Sequence, residues 1–162
     1  MEKAALTLLL LAALPAWGFD ANGVGLGATE TEVRKRYPAA RCRELEWKSS
    51  AAERRCDDAK VEFGGAEARV TFFLKGDAVQ AFDVRFDALH LERVVAHLKQ
   101  RYGVPDSETR EKVERRRSTR ELYKVRWERG GDRAVLTTQL KRRRVDLNVW
   151  RGDFDTEIYR IR

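Results

Sequence analysis

Lys60-Val61-Glu62-Phe63-Gly64-Gly65 runs into an alternating segment in which Ala68, Val70 and Phe72 share a face. A similar pattern returns as Lys124-Val125-Arg126-Trp127 ahead of Gly130-Gly131. Beyond each glycine pair lie an alternating strand, a turn opening at Lys75 or Lys141, and a strand containing Val79 or Val145. Upstream, Tyr37-Pro38 and Tyr102-Gly103-Val104-Pro105 each close a helical pattern. An internal period of this kind decides the architecture. The reading is therefore one α+β domain over residues 19–162. It is built of two tandem repeats, about 23–86 and 87–151, each a helix followed by an antiparallel meander, with the helices packed on one face of the sheet.

Working outward, Thr29 and Glu32 form a capping box ahead of a short helix that Pro38 ends. The glycine-rich approach Gly23–Gly27 lacks a phosphate-loop register and reads as a flexible lead into that helix. Residues 41–60 look polar and irregular, with a short strand at Leu45–Trp47. Asp87 is an N-cap, and Leu91, Val94, Val95, Leu98 and Tyr102 make the buried stripe of a second helix stopped by Gly103 and Pro105. Strands are then expected at about 109–116, 120–128, 133–140 and 144–151. One face is apolar (Tyr123, Val125, Trp127; Ala134, Leu136; Val145, Leu147, Val149) and the other polar and solvated.

Residues 1–18 read as a secretory signal: Lys3, an apolar run Ala4–Leu14, Pro15 and a small-x-small site at Ala16-Trp17-Gly18. A retained anchor or a buried first helix is the alternative. Cleavage near Gly18 would leave a periplasmic or secreted chain. No second apolar run approaches a membrane-spanning length, so an integral membrane protein is not expected. Export makes a Cys42–Cys56 disulfide the natural reading of the two cysteines, since their spacing suits neither a CxxC redox motif nor a four-ligand zinc site.

The chain carries a formal net charge of +7. Residues 110–162 hold 17 Lys and Arg against 9 Asp and Glu, so the excess sits in the last third. Alternate turns of a meander lie at the same end of a sheet. Arg115, Arg116, Arg117 and Arg120 should therefore stand beside Lys141, Arg142, Arg143 and Arg144, making a basic rim able to attract anions. Charged turns that merely keep hairpins soluble are the plainer alternative. No catalytic set is legible: His90 and His97 are two helical turns apart, the serines lie in no nucleophile motif, and most carboxylates alternate with arginines. No metal site or cofactor is expected. Export argues against nucleic acid as partner. An envelope protein, anionic lipid or lipopolysaccharide suits arginine forks better.

Gly25-Leu26-Gly27-Ala28-Thr29, Glu32-Val33 and Tyr37-Pro38 resemble the opening of the BamE-like (SmpA/OmlA) small envelope proteins. A tandem pair of such units is similar to the fold of the β-lactamase inhibitory protein. The chain lacks the lipid-anchoring cysteine of the assembly lipoproteins, and each unit shows one clear helix. The resemblance implies a non-enzymatic interaction module of the cell envelope or, alternatively, an inhibitor of a periplasmic hydrolase.

Overall fold

The computed structural model describes residues 18–115, 118–152 and 154. The secretory-signal reading of residues 1–18, apart from Gly18, and the rim positions Arg116 and Arg117 lie outside the described residues. The described residues begin with a hairpin, β1 (Asp20–Ala21) and β2 (Val24–Gly25), followed by α1 (Glu30–Arg36). Four strands come next: β3 (Arg41–Glu44), β4 (Arg54–Phe63), β5 (Ala66–Lys75) and β6 (Ala78–Asp87). A 3-10 turn (Ala88–His90) leads into α2 (Leu91–Tyr102), and β7 (Ser107–Arg115), β8 (Ser118–Arg129), β9 (Asp132–Gln139) and β10 (Arg144–Arg151) complete the described strands.

Strands β3 to β10 form a single eight-stranded antiparallel sheet in the order β3-β4-β5-β6-β10-β9-β8-β7. The last strand docks on β6, so the two runs of strands meet at the centre of the sheet. Register carries the packing across this junction. Cys56, Phe72, Phe82, Val149, Ala134 and Trp127 stand in one cross-strand row. A second row runs Val70, Val84, Leu147, Leu136 and Val125. Both rows are buried in one apolar cluster with Val33 of α1 and with Val94, Leu98 and Tyr102 of α2. Continuous rows of this kind remove apolar area from water at roughly 25 cal/mol per Å².

These findings correct the expected architecture. The described residues are sheet-dominated, 55% strand and 17% helix, and among them there is one long helical segment of 15 residues (88–102); α1 has only seven. It is not a pair of tandem helix-plus-meander units over about 23–86 and 87–151, and the likeness to BamE-like proteins and to the β-lactamase inhibitory protein falls with that reading. The physical reason is the β6–β10 pairing, seven registered residue pairs from Arg144↔Asp87 to Trp150↔Ala81. It joins both runs of strands in one sheet over one main core.

Local expectations fared differently. The Thr29–Glu32 capping box is complete, with Thr29 N–H donating to Glu32 at 2.7 Å and Glu32 N–H to Thr29 Oγ1 at 3.2 Å. Gly103 closes α2 with φ +85°. The glycine-rich lead is not a loose approach: Asn22 and Gly23, with φ of +50° and +93°, turn the β1–β2 hairpin. The strand expected at Leu45–Trp47 is instead β3, four residues earlier, and residues 54–60 belong to β4. A bulge between Asp58 and Val61 hid that strand, because Cys56 and Asp58 are buried before it and Phe63 after it. The alternation changes phase in mid-strand.

Cys42 and Cys56 face each other in the β3–β4 register and form a disulfide. Among the described residues no helix is long and apolar enough to cross a membrane.

Candidate functional site

The paired ends Arg115 and Ser118 of β7 and β8 lie at the same end of the sheet as the β9–β10 connection. Leu140 N–H donates to Glu121 O at 2.9 Å, holding the start of one turn against the end of the neighbouring strand. The 140–143 turn is braced by Arg142 N–H to Gln139 O at 2.7 Å and by Thr138 Oγ1 to Arg144 O at 2.9 Å. The start of the helical segment reaches the same place, where Ala88 N–H donates to Arg143 O at 2.9 Å. The rim therefore runs from the end of β6, along the 140–143 turn, to the outer strands β8 and β7.

The described members of the expected site fall into two groups. Arg143 and Arg144 are exposed but partnered: Arg143 meets Asp87 at 3.0 Å and Arg144 meets Asp146 at 2.7 Å. Asp87 also caps the 3-10 turn. The Leu89 amide first, and Arg143 after it, hold its carboxyl below the usual carboxylate range. Arg120 is half-buried opposite Val113, and Lys141 and Arg142 are exposed. These three make no ion pair among the described residues. Arg115 pairs with Ser118 in the backbone register that closes the β7–β8 hairpin. The rim thus combines cations held by carboxylates with cations left for solvent or a ligand, a geometry suited to phosphate or carboxylate groups arriving from outside.

The sheet face away from the helices is polar in its middle. Asp57, Thr71, Asp83 and Asn148 form one row, and Arg69, Arg85, Asp146, Thr137 and Lys124 another. Arg85 pairs with Asp146 at 2.8 Å, and Thr71 Oγ1 donates to Asp57 at 2.8 Å. Away from the basic rim this face turns apolar. Phe73, Ala81, Trp150 and Phe154 form a separate buried cluster with Ala52, and Trp47 packs against it. Trp47 and the 45–54 segment also line a cleft of about 500 Å³.

On the helical side a second cleft, about 340 Å³, lies between the β1–β2 hairpin and α2. Arg101 meets Asp20 there at 2.8 Å, and His97 stands edge-on to Phe63 at 5.6 Å. Burial, aided by Arg101, pushes the His97 imidazole below its ordinary pKa, so it is neutral near pH 7. His90 belongs to the 3-10 turn, away from this cleft. Glu30 approaches the two cysteine sulfurs, but both are consumed in the disulfide and offer no thiolate to a metal.

Reasoning from sequence missed two features of the rim. One is Asp87 tying the helical segment to Arg143. The other is Leu89, which stands exposed next to the Asp87–Arg143 pair. A signal for Leu89 was present: it precedes the apolar stripe that begins at Leu91 and falls outside its spacing. No family model, curated protein or solved structure matches this chain.

Proposed function

We propose that the protein is a non-enzymatic binding module of the cell envelope that engages an anionic envelope component or an acidic protein surface through the basic rim. The observation that carries this reading is the convergence of Arg120, Lys141 and Arg142, without ion partners among the described residues, at one end of the sheet. An excess of like charge on one edge steers anionic partners and holds them by salt-sensitive pairing. The Cys42–Cys56 disulfide supports work outside the cytoplasm, where such bonds persist. The hydrolase-inhibitor alternative rested on the tandem-unit resemblance and has no separate observation behind it.

The test is comparative capture. Protein carrying Arg120→Glu, Lys141→Glu and Arg142→Glu is set against wild type in binding to acidic envelope proteins and to anionic envelope components. The expected outcome is a partner retained by wild type at low salt and lost by the charge-reversed variant. Equal capture by both would overturn the rim as the binding surface.

A further inference from the structure

Resting on the rim reading above, we infer that the rim docks on a bilayer surface bearing anionic phosphate head groups, with Leu89 inserting between them. Leu89 and Val104 are the two large hydrophobic side chains left exposed among the described residues, at 81% and 92%. They occupy opposite ends of the helical segment. Val104 follows α2 near Trp127, whose Nε1 donates to Gly103 O at 2.9 Å. Leu89 sits on the 3-10 turn at the rim end, between Asp87, which binds Arg143, and the α2 stripe.

A lone exposed leucine needs no explanation on an ordinary surface. Here its position is the argument. The Ala88–Arg143 backbone bond fixes the 3-10 turn beside the 140–143 turn, so Leu89 is held at the turn that carries Lys141, Arg142 and Arg143. An acidic protein would satisfy the cations but gives no reason for an exposed apolar side chain held beside the Asp87–Arg143 pair. A lipid surface satisfies both: phosphates meet the guanidinium and ammonium groups, and the leucine enters the acyl boundary. The Asp87 cap and the Ala88–Arg143 bond hold Leu89 in place before docking, which limits the entropy lost on binding.

The experiment is co-sedimentation of the purified chain with vesicles of phosphatidylcholine alone or mixed with phosphatidylglycerol, with a soluble polyphosphate as the competing probe. The inference expects binding to the phosphatidylglycerol vesicles only, weakened by added salt. Lys141→Gln with Arg142→Gln should lower the affinity on the order of 30-fold. Leu89→Ser should lower it about fivefold, and Val104→Ser should leave it unchanged. All four positions are exposed, and unchanged thermal unfolding of each variant confirms that folding is not the cause. Vesicle binding unaffected by Leu89→Ser, or weakened equally by Val104→Ser, overturns the insertion. No vesicle binding, with polyphosphate still held by wild type and released by the Lys141/Arg142 variant, overturns the bilayer while the rim reading stands. If neither probe binds, the inference falls. If the envelope capture by wild type and charge-reversed protein is also equal, the rim reading falls with it.

Discussion

Tyr37 illustrates how single residues join the pieces of this fold. Its ring packs on Phe72 at 5.3 Å, and its hydroxyl donates to Ala21 O at 2.9 Å, tying α1 to the β1–β2 hairpin. Burial pushes its phenol from 10.0 up to about 12. The sign follows from linkage: the unfolded chain ionises first, so stability is whole below pH 10 and is lost as pH rises toward 12. Urea unfolding followed from pH 8 upward should show this alkaline decline. Tyr37→Phe should make it shallower and cost about 1 kcal/mol at neutral pH through the lost hydrogen bond. An unchanged alkaline slope would place Tyr37 outside the effect. Buried Tyr102 and Tyr123, whose phenols are also raised, keep some decline in the variant. Glu30 works in the opposite direction. Hydrogen bonds from Arg54 first, and then Arg34, hold its carboxyl low, so its contribution is present above pH 4.5 and fades as pH falls.

Among the elements, β3 is the most dependent on a covalent link. It is four residues long, three of them exposed, and it covers only Arg54–Asp57 of the ten-residue β4. The disulfide closes a loop worth roughly 3 kcal/mol in the chain-entropy model. Cys42→Ser with Cys56→Ser should therefore lower stability by about 2–4 kcal/mol while leaving the rim, on β8 to β10, able to bind. Loss of rim binding in a folded double variant would show that the two regions are coupled.

The same region shows what was legible in the sequence and what was not. The α2 stripe and its caps could be read because 3.6-residue spacing, an Asp before it and a Gly after it all agree. The β7–β10 strands could be read from their alternation, to within a few residues. β4 could not, because its bulge reverses the alternation and Asp58 occupies a buried position. Asp58 is tolerated there because its carboxylate accepts from Lys60 N–H at 3.1 Å. The placement of both charged turns at one end follows from antiparallel topology, and sequence alone suggests it. That Asp87 occupies Arg143 depends on β6 pairing with β10, which no local pattern reveals, whereas Arg144 meets Asp146 within β10 itself.

For the whole molecule, the β6–β10 junction determines behaviour. Leu147 is fully buried between Val84 and Leu136, at the point where the two runs of strands meet. Leu147→Ala should cost about 2–5 kcal/mol and lower a single cooperative transition, observed alike by tryptophan fluorescence and far-UV circular dichroism. Two separate transitions would mean that the halves fold independently, against the continuous core.

On this scale the molecule is a sheet with one face sealed by helices, an opposite face that is polar in its middle and apolar around Phe73 and Trp150, and a cationic end carrying one exposed leucine. The measurement closest to that account is residue-resolved chemical-shift mapping of the backbone amides on adding short-chain phosphatidylglycerol. The account predicts perturbations concentrated at Leu89, Arg120 and residues 140–144, reversed by salt. Perturbations centred on Asp57, Thr71, Asp83 and Asn148, or on the cleft beside Asp20 and His97, would contradict it.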